Sequence, residues 1–180
     1  MTPMSEISGG QQAVEKDLHG AVIAAIIPDQ PARVVTEAAH YANMLGVPLV
    51  VVHVDVTRFV TYEDPDGAPH TAPIDINVDA GAEELAEVQK RVAEVLSKQS
   101  VEWTTVQLVG DPALAIKHYA NKIDAPLIVV GTRKRGFGES LREFFTGSVA
   151  ARLSHRQHRP LLVVPLGEPI DDEAPIFDEA

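Results

Sequence analysis

Between Gly131 and Val149 the chain gathers the residue types that hold anions. Gly131 closes an apolar run, Leu127 to Val130, and is followed by Thr132, Arg133, Lys134 and Arg135. Gly136, Gly138 and Arg142 come next, and Gly147-Ser148-Val149 then opens a helical pattern. A buried strand, a loop poor in bulky side chains and a helix start together present backbone N–H groups to a phosphate, because first-turn amides have no intrahelical partner and the helix dipole favours negative charge. Gly131 lets a backbone approach a ligand closely. Arg133 and Lys134 are placed to neutralise phosphates, or else they are a solvated charge run. The Ser148 hydroxyl either bonds a phosphate oxygen or caps the helix.

Two further places carry polar chemistry. Pro28-Asp29 ends the apolar run from His19 to Ile27, and a carboxylate there can accept from ribose hydroxyls or serve as an ordinary turn residue. His53-Val54-Asp55 ends a second apolar run; His53 reads as a satisfied histidine of the core or of a crevice edge rather than as a base. Other chemistries lack their residues. No glycine loop leads into Lys-Ser or Lys-Thr, and G-x-S-x-G is absent. His155 and His158 have no third metal ligand close by in sequence. Ser8-Gly9-Gly10 follows no strand, and Asp29 lacks the acidic neighbour that a phosphorylatable receiver needs.

With 180 residues and 45% hydrophobic content the chain supports one globular domain. It contains no cysteine, which excludes disulfides, thiol catalysis and cysteine-bound metal and agrees with a reducing cytoplasm. The longest apolar runs, around Ala21 to Ile27 and Val47 to Val52, are strand-sized and far short of the roughly 18 residues of a membrane span. A net charge of −11 argues against nucleic acid and anionic membrane as partners. Against that acidity Arg133, Lys134, Arg135 and Arg142 make one loop locally positive.

The elements that must position these residues follow from hydrophobic period. His19–Ile27 and Val47–Val56 read as strands buried on both faces, joined by a helix over Ala32–Leu45 that Gly46 ends. Residues 57–79, with Pro65, Gly67, Pro69 and Pro73, show too little periodicity for either regular element and are expected to form a long, mobile loop. A second helix is predicted over Ala80–Leu96 and an edge-like strand over Val101–Val109. Asp111 and Pro112 then supply cap and first position for a third helix to Lys122. Leu127–Gly131 is the fourth strand, Gly147 to about His155 the fourth helix and Leu161–Pro165 the fifth strand. Residues 1–18 and the acidic segment 167–180 read as tails. Alternation of five strands with four helices predicts an open, mostly parallel α/β sheet with helices on both faces.

Val129-Val130-Gly131-Thr132-Arg133, Gly147-Ser148-Val149-Ala150 and Pro160-Leu161-Leu162-Val163-Val164-Pro165 resemble the C-terminal half of the universal stress protein (UspA-like) family, over about residues 19–166. The resemblance implies an adenine nucleotide alpha hydrolase-like sheet of order 3-2-1-4-5, whose ligand crevice opens where the order switches direction, between strands one and four. It implies an ATP site, with magnesium as companion ion, formed by Pro28, Asp29, Val54, Gly131, Thr132, Arg133, Lys134, Gly136, Gly138, Gly147, Ser148 and Val149. Asp29 would meet the ribose and adenine edge, and Val54 the adenine through its backbone. It also implies a homodimer paired along Leu161–Pro165. The family's ATP-binding members carry G-x2-G-x9-G-[ST]; here Lys134 stands at the second glycine and Gly147 comes three residues late. Two functions stay open at this point: a regulatory module that reports adenine nucleotide with at most very slow hydrolysis, or a nucleotide-free member acting through dimerisation or a protein partner.

Overall fold

The computed structural model describes residues 18–28, 32–56, 58–63, 69–73, 80–132 and 148–167. Asp29, Arg133, Lys134, Arg135, Gly136, Gly138, Arg142, Gly147 and most of both expected tails lie outside the described residues. The elements are β1 Val22–Ile26, α1 Arg33–Leu45, β2 Leu49–Asp55, β3 Arg58–Glu63, β4 Pro69–Pro73, α2 Ala80–Leu96, β5 Trp103–Val109, α3 Pro112–Lys122, β6 Ile128–Gly131, α4 Val149–Arg156 and β7 Leu161–Val164.

Five strands form one parallel sheet ordered β5-β2-β1-β6-β7, which is the expected 3-2-1-4-5. At its centre Ala24 of β1 sits level with Val51 on one side and Val129 on the other. Alternate side chains of a strand point to opposite faces, so a run of unbroken hydrophobicity supplies two cores at once. Val22, Ala24, Ile26, Leu49, Val51 and Val129 pack against α1 and α2. Ile23, Val50, Val52, Val54, Ile128 and Val130 pack against α3 and α4.

Each helix is delimited as its residues dictate. α1 ends at Gly46, whose φ of +66° is the left-handed conformation that glycine tolerates, and Val47 N–H then reaches back to the Ala42 carbonyl at 3.1 Å. α3 begins at Asp111, whose carboxylate accepts from Leu114 N–H at 3.0 Å, with Pro112 at the first position where no donor is needed. α2 occupies Ala80–Leu96, as its period predicts. Among the described residues no helix is long and apolar enough to cross a membrane.

Residues 57–79 correct one expectation. They include a two-stranded antiparallel ribbon in which Phe59 faces Ala72 and Val60 faces Thr71, with a register shift between Val60 and Tyr62. The run Arg58-Phe59-Val60-Thr61-Tyr62-Glu63 is rich in β-branched and aromatic strand formers, and it was outweighed by the prolines. Pro69 and Pro73 stand at the two ends of β4, where a missing N–H costs a two-stranded ladder little.

Leu153, the fully buried anchor of α4, offers a direct check of the second face. Leu153→Ala should lower the unfolding free energy by about 3 kcal/mol in urea titration. A loss under about 1 kcal/mol would mean that α4 does not close that core.

Candidate functional site at the switch between β1 and β6

The helix after β1 covers one face of the sheet and the helix after β6 the other, so the chain parts at the carboxyl ends of these two strands. A crevice of about 410 Å³ opens there. Its floor and walls come from Ala25–Pro28 of β1, Val52–Val54 and Val56 around the end of β2, and Val130–Thr132 of β6. Pro112 and Ile116 of α3, Ser148 and Val149 at the start of α4, and Glu84 of α2 complete it.

Six of the twelve residues singled out in the sequence therefore line one space: Pro28, Val54, Gly131, Thr132, Ser148 and Val149. The other six, Asp29, Arg133, Lys134, Gly136, Gly138 and Gly147, lie outside the described residues. Ser148 is the N-cap of α4, its Oγ accepting from Ala151 N–H at 3.1 Å. That bond occupies a lone pair and leaves the hydroxyl proton free to donate. The amides of Val149 and Ala150 head the same helix and have no carbonyl within it to bond. Thr132 is similar, since its Oγ1 accepts from Leu166 N–H at 2.9 Å while its N–H donates to Val164 O at 2.9 Å. Both hydroxyls keep the chain in shape with an acceptor lone pair and retain a donor.

On the opposite wall the sequence reading placed His53 as a histidine of the core or crevice edge and gave no role to Glu84 or Arg91. His53 is buried to 2% exposure, and its Nε2 lies 3.2 Å from Glu84 Oε2. An ionised carboxylate only accepts, so Nε2 donates to Glu84; among the described residues Nδ1 is buried with no hydrogen-bond partner. Arg91, one helical stripe on from Glu84, donates from Nη1 to the Pro28 carbonyl and pairs with Glu87 at 3.3 Å. The signal for Glu84 was in the period of α2: it precedes the buried Val88 and Val92 by four and eight residues, so the stripe that faces the sheet continues into a carboxylate.

α4 is held against α3 by a charged pair. Arg152 approaches Asp111 through Nη1–Oδ2 at 2.7 Å and Nη2–Oδ1 at 2.8 Å, a two-pronged contact on the same carboxylate that caps α3. The model of the universal stress protein family matches residues 21–165, which takes in every strand of the sheet and the whole crevice. This chain belongs to the universal stress protein family. Universal stress protein MJ0531 of Methanocaldococcus jannaschii is 31% identical over 144 residues, covering 77% of this chain and 79% of that protein. Among solved structures, a universal stress protein from Archaeoglobus fulgidus superposes with a TM-score of 0.60 at 24% identity, over 81% of this chain and 98% of the other. A universal stress protein from the same organism in complex with dAMP gives 0.55 at 22%, over 82% and 98%. At these identities the structural likeness is one of fold.

The Asp111–Arg152 contact generates a pH test. The hydrogen bond from the Arg152 guanidinium, aided by the Leu114 amide and opposed by partial burial, holds the Asp111 carboxyl below its usual value. A depressed carboxyl stabilises the fold above its unfolded pKa of about 3.9 and loses that contribution as pH falls through the folded value. Asp111→Ala should cost about 1–2 kcal/mol at pH 7, the size of a lost cap. In urea titrations the gap between wild type and Asp111→Asn should narrow as pH drops below about 4. A gap independent of pH would show that the charge of Asp111 contributes nothing.

Proposed function

We propose that this universal stress protein is a cytoplasmic regulatory module that binds an adenine nucleotide in the crevice between β1 and β6 and responds to stress through its occupancy. The observation that carries the reading is the meeting, in one crevice, of a helix N-terminus with open amides, two donor hydroxyls and the apolar ends of three strands. An anionic group is served by α4 and its Ser148 cap. A flat base is served by the apolar walls, among them Ile26, Val52 and Ile116. The dAMP complex of the Archaeoglobus fulgidus relative is a precedent for a nucleotide of this class in this family. ATP with magnesium is the nucleotide proposed, with the basic residues Arg133 and Lys134 as its phosphate partners. Binding rather than turnover is proposed. Among the described lining residues the titratable side chains are His53 and Glu84, and they are bonded to each other.

Calorimetric titration with ATP, ADP and AMP should give dissociation constants in the micromolar range or weaker, on the order of −8 kcal/mol at 1 μM. Absence of heat and of thermal shift at millimolar nucleotide would turn the reading towards a nucleotide-free member of the family.

We also propose that two copies pair along β7. Among the described residues β7 is hydrogen-bonded only to β6, and Val163 is 41% exposed on this outermost strand. An apolar edge strand with open N–H and C=O groups invites pairing. Pro160 and Pro165 flank the four strand residues and confine the ladder between them. Light scattering on a sizing column should report a dimer at tens of micromolar protein, and Val163→Asp should shift it to monomer. A dimer indifferent to that charge would place the interface elsewhere.

A further inference from the structure

The described polar side chains of the crevice fall into two kinds. Thr132 and Ser148, on the β6 and α4 side, have each committed an acceptor lone pair to a backbone amide, at 2.9 and 3.1 Å, and retain an O–H to give. Glu84, on the α2 side, is different in every respect. It is the one formal charge among the described lining residues, it is 44% exposed, and it can only accept. Its Oε2 is taken by the imidazole of His53, itself 98% withdrawn from solvent, while Oε1 remains uncommitted among the described residues. An exposed glutamate on a helix ordinarily samples many rotamers; this one is steered by a buried donor that has no other use on that nitrogen. The crevice is thus polarised, with donors at one end and a fixed acceptor at the other.

We propose that Glu84 is the specificity contact for the uncharged end of the ligand, accepting a neutral O–H or N–H donor of a nucleoside, with His53 as the positioning residue that fixes the carboxylate. This rests on the nucleotide reading and adds to it a contact on the α2 side. Phosphate lies towards Ser148 and the start of α4, and the nucleoside lies towards α2. A carboxylate repels phosphate, so the reverse orientation would place like charges together. Two donors satisfy the chemistry: the ribose hydroxyls and the exocyclic amine of the base. Both are neutral, and a ligand lacking the matching donor covers the carboxylate while leaving Oε1 without a bond, which is how a single polar group discriminates.

The test uses the full chain, with adenosine, 2′,3′-dideoxyadenosine and inosine titrated against wild type, Glu84→Ala and Glu84→Gln. Removing a charged hydrogen-bond partner should weaken adenosine by about tenfold. One analogue should already bind wild type more weakly and be indifferent to the substitution: dideoxyadenosine if the hydroxyls are read, inosine if the amine is. The ratio of ATP to adenosine affinity should stay constant. His53→Leu should mimic Glu84→Ala, and His53→Gln, which keeps an N–H donor, should restore most of the adenosine affinity. That rescue separates positioning from a general loss of packing, and if His53→Leu does not fold, the Glu84 variants carry the test alone. Equal weakening of all three nucleosides, no weakening of any, or tighter ATP with adenosine unchanged would overturn the assignment while leaving nucleotide binding intact. Wild type that binds none of the nucleosides or nucleotides at millimolar concentration would overturn the nucleotide reading, and this one with it.

Discussion

The constraint on which this molecule depends is that every central strand must satisfy two cores. A parallel strand buried on both faces has no solvent side, so each of its residues is claimed by one helix layer or the other. Val22, Ala24 and Ile26 serve α1 and α2, while Ala21, Ile23 and Ala25 serve α3 and α4. The described helices that follow β1 and β6, α1 and α4, accordingly lie on opposite layers. The crevice is the space left by that divergence; it follows from how the core is distributed and needs no special loop to create it.

Among the described residues the polar groups around that apolar space are few. The helix-start amides and the two hydroxyls offer hydrogens. The opposite wall offers a carboxylate whose orientation is set from beneath by an imidazole with no solvent contact to lose. An elongated ligand with one anionic and one neutral end matches such an arrangement in a single direction. The same logic explains why His53 stays buried although Nδ1 has no partner. The bond from Nε2 to Glu84 and the packing of β2 offset the cost of one unpaired ring nitrogen, on the order of 1–3 kcal/mol.

Much of this was legible in the amino-acid order. Strands betray themselves when both faces are apolar, and α1, α2 and α3 announce their limits through Gly46, the stripe Val88-Val92-Leu96 and the pair Asp111-Pro112. The glycine-rich approach to Ser148 pointed to one wall of the crevice because helix starts have a local signature. The β3–β4 ribbon did not emerge, since three prolines and a glycine in residues 57–79 speak for loop while the opposing evidence is one short run of strand formers. Glu84 escaped for a different reason. Its stripe position is visible, but that the stripe's first turn overhangs the end of β2 is a property of the sheet order, which local sequence does not encode.

Helix α2 is fastened to strand ends twice, by Glu84 to His53 and by Arg91 to the Pro28 carbonyl, seven residues apart along one side of the helix. Two attachments spaced by two turns set both the height and the rotation of α2 against the strand ends. The described ribbon β3–β4 lies in the chain between the end of β2 and the start of α2, where length is thermodynamically cheap to alter, since doubling a loop adds only about 0.6 kcal/mol. The segment holding the ribbon is then the natural place for insertions and deletions to accumulate as such chains diverge. It can be rebuilt, or carry an appendage of its own, without disturbing the geometry of the crevice beside it.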